Sequence, residues 1–417
     1  MTEQRYRILE RIAAGGMAEV YRGESAGIEG FRKKVAIKRV LPKLSQNREF
    51  IHMFLDEARL CAYLSHSKCV QVFDIGQAAG AHFIVMEFVD GADLQGVLEH
   101  LQRRQQPQLP VEVACLITQH VCEGLAYAHD ATDHQGQALG IVHRDISPHN
   151  VLMTRFGEVK LVDFGLAKAS SHLTADDEDI VKGKFGYLAP EVTLGKTADR
   201  RVDIFAAGIL LWEMLAGRRL FKGETDVETF QQVQAAVIPD IRGIRGDVGD
   251  DVARVLAKAL ARDREARYQQ AGELAKDLAT VLLRLGKPVT YQDIAKLVEA
   301  SAGERGKERR AEQRDAEGVM GDLIIDALHD FSGHAQDAPT SIHKRGVDSA
   351  LSAEFVNPSD WGLDAVFDAA PPAAAVAPPP PVAASPAQTA AQRARPQPAP
   401  GAPAPPGGPF WRRWFGS

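Results

Sequence analysis

His143-Arg144-Asp145-Ile146-Ser147-Pro148-His149-Asn150, followed at short distance by Val162-Asp163-Phe164-Gly165, places two carboxylates and an amide in one span of chain. Phosphoryl transfer needs one carboxylate to orient an incoming hydroxyl and two oxygen ligands to hold Mg²⁺ against a triphosphate. The reason is that the transition state spreads negative charge over the γ-phosphate oxygens. Asp145, Asn150 and Asp163 are groups of that kind. Alone, an aspartate ahead of a loop is more often a turn residue or helix cap than a base, so its companions decide the reading.

Val35-Ala36-Ile37-Lys38 lies upstream in an apolar, β-branched stretch that reads as a strand. From about Gln46 to Leu64, Ile51, Phe54, Leu55, Ala58 and Ala62 recur at helical spacing. That spacing puts Glu57 on a structured helix within reach of Lys38, with Asp56 as the alternative. Ala189-Pro190-Glu191 closes the segment that Asp163 opens, and Arg267 lies further on.

These motifs, in this order, resemble the eukaryotic-like serine/threonine protein kinases of bacteria, of the soluble myxobacterial type, over roughly residues 6–285. The resemblance implies an α+β bilobal protein kinase fold. A small β-rich lobe with one key helix is expected over about 6–89, and a larger α-helical lobe over about 90–285. It implies ATP and Mg²⁺ as cofactors, Asp145 as catalytic base, and Asn150 and Asp163 as magnesium ligands. Lys38 would grip the α- and β-phosphates, with Glu57 as its ion-pair partner. By the same resemblance Arg267 pairs with Glu191, and His143 and Phe164 stack in the core. Asp203 holds the catalytic-loop backbone while also capping its own helix.

Ile12-Ala13-Ala14-Gly15-Gly16-Met17-Ala18-Glu19-Val20 stands where the family carries Gly-x-Gly-x-x-Gly-x-Val. Only the middle glycine survives, as Gly15, and a surface hairpin is the plain reading of so weakened a pattern. Beside Lys38 it reads as a phosphate-covering loop, where glycine lets backbone amides approach phosphate without a Cβ in the way. Ala13, Gly15 and Gly16 thereby join the cofactor site. By family analogy Val20, Ala36 and Leu152 sandwich the adenine. Met86-Glu87-Phe88-Val89 supplies gatekeeper and hinge, with Glu87 and Val89 facing the adenine edge, and Asp93 reaches the ribose.

Two positions depart from the family pattern. Ser147 stands where a lysine contacts the γ-phosphate, and Lys184, in Gly183-Lys184-Phe185-Gly186-Tyr187, stands where a threonine bonds that lysine and the base. The changes look reciprocal, so Lys184 is expected to restore the missing cation near Asp145. Decay to a pseudokinase that binds nucleotide or partners without catalysis is the rival reading, motivated by Ala13, Ala18 and Ser147. The retained Lys38, Glu57, Asp145, Asn150 and Asp163 oppose it. A small-molecule phosphotransferase is a third reading, and tyrosine specificity stays open because Ser147 removes the lysine that marks Ser/Thr kinases. Ser170, Ser171 and Thr174 are candidates for autophosphorylation, with Arg144 as the phosphate pocket.

The 417 residues, 45% of them hydrophobic, permit a large core and more than one domain. A net charge of −6 argues against a generic nucleic-acid binder. Four scattered cysteines give no disulfide framework; Cys115 and Cys122 fall in a helical pattern, and a reduced cytoplasm suits them. No signal peptide is legible at Met1–Tyr6, and the longest apolar run, Ile204 to Gly217, is short and broken by Glu213, so no membrane span is expected. A helical extension is expected over 286–333, with helices at Val289–Ala302 and Glu304–Leu328. A disordered Ala/Pro-rich tail is expected over 334–417, because its composition cannot bury enough apolar area to offset chain entropy. Its end, Phe410-Trp411-Arg412-Arg413-Trp414-Phe415, suits weak docking on a membrane surface or a protein groove. Protein substrates follow from the resemblance, which also leaves room for a transient homodimer.

Overall fold

β-Branched and aromatic residues line the early strands, as a pleated and half-buried surface requires. The computed structural model describes residues 6–26, 31–78, 81–164 and 185–302. Lys184, Ser170, Ser171, Thr174, the Glu304–Leu328 stretch and the Phe410–Phe415 end lie outside the described residues.

The small lobe is an antiparallel sheet of β1 (Tyr6–Ala14), β2 (Ala18–Ala26), β3 (Arg32–Val40), β4 (Val72–Ala78) and β5 (Ala81–Glu87), in the order β1-β2-β3-β5-β4. Central β3 buries Val35, Ala36, Ile37 and Val40. Its register sets Lys38 opposite Val20 on β2, and Ala36 opposite Met86 on β5. One helix, α1 (Arg48–Ala62), packs on this sheet. Asn47 starts it by accepting the Phe50 amide, and Phe50, Ile51, Phe54 and Ala58 pack with Val40, Leu44 and Ile84. Ala62, expected on that face, is exposed, and Cys61 is buried instead. Repeated steps of four drift around a helix of 3.6 residues per turn, so the inward face is met one position earlier at the last turn.

The chain enters the large lobe through β6 (Gly91–Asp93), α2 (Leu94–Arg103) and α3 (Val111–His129). β7 (Val151–Thr154) and β8 (Val159–Leu161) join β6 in a small sheet at the floor of the interlobe slot. Then follow a helical turn at Pro190–Thr193, α4 (Arg201–Ala216), α5 (Asp226–Ala235), a turn at Ile241–Ile244, α6 (Asp250–Ala259) and α7 (Ala271–Leu285). α4 is apolar all round and buried from Val202 to Ala216, which makes it the axis of the lobe.

A last helix, α8, spans 291–302 and not 289–302 as expected. Thr290 starts it: the Thr290 amide donates to Asp293 Oδ2 at 2.9 Å, and the Gln292 amide donates to Thr290 Oγ1 at 3.3 Å. Ile294 and Val298 of α8 are fully buried in the large-lobe core. Among the described residues no helix is long and apolar enough to cross a membrane. All four cysteines are free and buried.

Candidate phosphoryl-transfer site

β3 delivers Lys38 into the slot between the lobes, where its Nζ donates to Asp163 Oδ1 at 2.6 Å. Burial alone would push this ammonium down, but Asp163 and then Glu57 outweigh it, and the net shift is upward, so the group stays charged. Glu57 is buried on the inner face of α1. Asp56 faces solvent and takes Arg59 at 2.9 Å, so the helical face itself separates the two carboxylates.

The loop 143–150 is tied to the strand leading into Asp163. His143 Nε2 donates to the Val162 carbonyl at 3.1 Å, the Val162 amide donates to the Asn150 carbonyl at 3.1 Å, and the His143 and Phe164 rings lie 4.5 Å apart. Burial pushes His143 down against the pull of Asp203, Asp145 and Asp163, which keeps it neutral; its Nδ1 then accepts the Asp145 amide at 3.3 Å. Arg144 and Asp163 hold left-handed backbones, φ 65° and 64°, at either end of this arrangement.

Asp203 anchors the first of them. Its carboxylate accepts the His143 amide at 2.8 Å, the Arg144 amide at 2.7 Å and His129 Nε2 at 2.8 Å. The capping half of the Asp203 expectation fails. α4 has no side-chain cap, because Asp203 sits inside its first turn with both oxygens committed to the loop and to His129.

Asn150 Nδ2 donates to the Asp145 carbonyl at 2.7 Å and to Asp145 Oδ2 at 2.9 Å. That commits the nitrogen of the amide and leaves its oxygen as the ligand type a hard cation prefers. One amide and one carboxylate suit Mg²⁺, which takes few protein ligands and fills its shell with phosphate oxygens and water. Among the described residues no group of three or more His, Cys, Asp or Glu side chains makes a protein-only cage.

One side of the slot is apolar. Ala36, Val70 and Met86 pack with the half-buried Val20, Leu152, Val89 and Val162. Glu87 turns its carboxylate away to Lys160 of β8, at 3.0 Å, and its amide donates to the Gln71 carbonyl at 2.8 Å. β5 ends at Glu87, which releases Phe88 and Val89 from sheet pairing. Asp93, expected at a ribose, caps α2 by accepting the Gly96 amide at 2.9 Å, with Oδ2 3.6 Å from His149 Nδ1. At the β1–β2 turn Ala13, Gly15 and Gly16 are exposed, and the Gly15 amide donates to the Ala18 carbonyl at 2.9 Å. A Cβ on Gly15 would meet only that carbonyl, at an ordinary 3.6 Å, so the fold itself does not demand glycine there.

Beyond the slot, Arg267 holds Glu191 through two bonds of 2.7 and 2.8 Å. Ser147 is buried, and its carbonyl accepts the Asn150 amide at 3.0 Å. Three participants escape a reading of the sequence: His129, Lys160, and Cys61, which lines one pocket with Lys38, Glu57, Asp163 and Phe164. Each ends or interrupts an apolar pattern without a motif of its own, and only the packing of α3, β8 and α1 reveals its partner.

A family profile described as Protein kinase domain matches residues 6–283. "Tyrosine-protein kinase MasK" of Myxococcus xanthus is 40% identical over 277 residues, covering 66% of this chain and 43% of that protein. "Serine/threonine-protein kinase PrkC" of Bacillus subtilis is 36% identical over 276 residues, covering 66% of this chain and 40% of that protein. The crystal structure of the Mycobacterium tuberculosis PknI kinase domain is similar at a TM-score of 0.50 and 26% identity, over 67% of this chain and 97% of that one. The chain thus spans about two fifths of the length of the curated relatives it matches, at 43% and 40%.

Proposed function

The chain belongs to the protein kinase domain family, in its eukaryotic-like bacterial branch, and on that premise we propose that it transfers the γ-phosphate of ATP to hydroxyls of protein substrates. The observation that carries the reading is the convergence of one buried cation and three oxygen-bearing side chains. Lys38 is bonded to Asp163, and Asn150 is bonded to Asp145.

In this reading Lys38 is a fixed positive charge for the α- and β-phosphates, already desolvated before substrate arrives, so little reorganisation accompanies the reaction. Asp145, positioned by Asn150 Nδ2 and by His143 behind it, accepts the proton of the acceptor hydroxyl. As the acceptor oxygen bonds to the γ-phosphorus, the bond to the ADP oxygen breaks and ADP leaves. Asn150 and Asp163 would hold Mg²⁺, which when bound neutralises charge on the phosphates. Ala13, Gly15 and Gly16 would cover the phosphates, with Val20, Ala36 and Leu152 around the adenine, Glu87 and Val89 at its edge, and Asp93 near the ribose. Lys184 belongs to the reading as the cation replacing the lysine absent at Ser147. Autophosphorylation and a cytoplasmic setting complete it.

Serine and threonine are the proposed acceptors, as in the name of PrkC. A tyrosine acceptor is the second reading, favoured by Ser147 and by the name of MasK. Radiolabelled ATP with a generic protein substrate, run beside Asp145→Asn, tests the proposal. Wild type should transfer label, and Asp145→Asn should fall about 10²- to 10⁴-fold. Transfer that is absent from wild type, or equal in both, supports the pseudokinase instead. Phosphoamino-acid analysis separates serine and threonine from tyrosine, and Lys184→Ala in the same assay shows through unchanged turnover whether the replacement cation is idle.

A further inference from the structure

Residues 63–71 connect α1 to β4 and carry a buried cation where the helix meets the large lobe. Lys68 is 7% exposed, and an ammonium taken out of water is costly unless protein groups replace the lost hydration. Its Nζ donates to Tyr291 Oη at 3.1 Å and lies 4.9 Å from the centroid of the same ring. That ring stacks on His120 of α3, with centroids 5.0 Å apart and planes 15° from parallel. Burial first, then Lys68, pushes His120 down to about 4, so a neutral ring and not a second cation faces the ammonium. Behind it, Gly157 in the β7–β8 turn approaches Tyr291 so closely that a Cβ there would strike the Tyr291 carbonyl. Tyr291 therefore touches three elements at once. It opens α8, beyond the family match that ends at residue 283.

The segment that Tyr291 grips is bonded to the end of β8 and to α3. The Leu161 amide donates to the Lys68 carbonyl at 2.8 Å, and the Val70 amide donates to the Leu161 carbonyl at 2.8 Å, so the loop pairs with the end of β8 just before Asp163. Just past the end of α1, the Ser65 amide donates to Tyr127 Oη of α3 at 3.1 Å. One short stretch thereby runs from the helix bearing Glu57 to the strand leading into Asp163, the two carboxylates whose charges act on Lys38.

We propose that Tyr291 is a positioning residue for phosphoryl transfer, acting through Lys68 to hold α1 and the strand leading into Asp163 in register. The proposal rests on the kinase reading above. Tyr291→Phe removes the hydroxyl and keeps the ring on His120, and Lys68→Met removes the charge and keeps the apolar stem. In the full chain each variant should lower kcat about three- to tenfold with KM for ATP changed less than about twofold, and the double variant should be no worse than either single one, because the pair acts as a unit. Amide hydrogen exchange over residues 57–70 and 161–164 should quicken in Tyr291→Phe. A wild-type kcat in Tyr291→Phe, even with a lowered melting temperature, reduces Tyr291 to a packing residue and overturns the proposal, as do losses that multiply in the double variant. Were wild type itself to transfer no phosphate, the kinase reading would fall, and the exchange measurement alone would decide whether Tyr291 holds the junction.

Discussion

Asp203 gathers on one buried carboxylate the amides of His143 and Arg144 and the imidazole of His129. Arg144 sits at φ 65°, a region that costs a non-glycine residue about 1–3 kcal/mol and persists only where surrounding bonds over-determine it. Those two amide bonds are what hold it there, and Asp145 follows directly in the chain. Asp203→Asn keeps the shape but turns one acceptor into a donor, so a buried N–H is left facing an NH₂. The variant should lose about 2–4 kcal/mol of stability and most of its turnover, measured by denaturant melts and by phosphate transfer. An Asp203→Asn protein as stable and active as wild type would remove the carboxylate from this role. At this scale the sequence was most informative where chemistry restricts the residue type. Asp145, Asn150 and Asp163 stand out because few side chains can donate oxygen to a cation or accept a proton. His129 stands out nowhere, since its partner lies 74 residues away and only the fold joins them.

Elements were legible to the extent that periodicity alone defines them. Val111–His129 reads from its apolar spacing to the residue, because a helix buried along most of its length repeats its signal many times. Both ends of α1 and the start of α8 shifted by two positions, since caps such as Thr290 with Asp293 act locally, where the apolar repeat says little. How elements attach to one another was legible only through motifs, as with Glu191 and Arg267. The Pro190–Thr193 turn is fastened to the chain between α6 and α7 by their two bonds, both partners being buried. A buried pair costs much to break and little to replace whole. Arg267→Met alone should therefore destabilise the protein by about 3–5 kcal/mol, and Glu191→Leu with Arg267→Met should recover much of that loss. Chemical denaturation of the two variants distinguishes this from simple packing, in which the double variant would be the less stable of the two.

For the whole molecule, the boundary of the family resemblance and the boundary of the fold differ. The motifs that make the lobes recognisable end with Arg267, and the family match ends at residue 283. A helix is expected at 289–302, but that expectation does not say what the helix meets; that Ile294 and Val298 complete the large-lobe core is a tertiary fact. Fully burying one such side chain is worth about 1.5–3 kcal/mol. A chain ending at residue 285 therefore forfeits about 3–6 kcal/mol relative to one ending at 302, and it also uncovers Lys68, whose ammonium Tyr291 holds at 3.1 Å. The shorter chain should melt at lower denaturant with a similar slope, because the loss falls on the large lobe and the lobe still unfolds as a unit. Equal midpoints for the two chains would show that α8 rests on the lobe without stabilising it, and the folded unit would then close where the family match does.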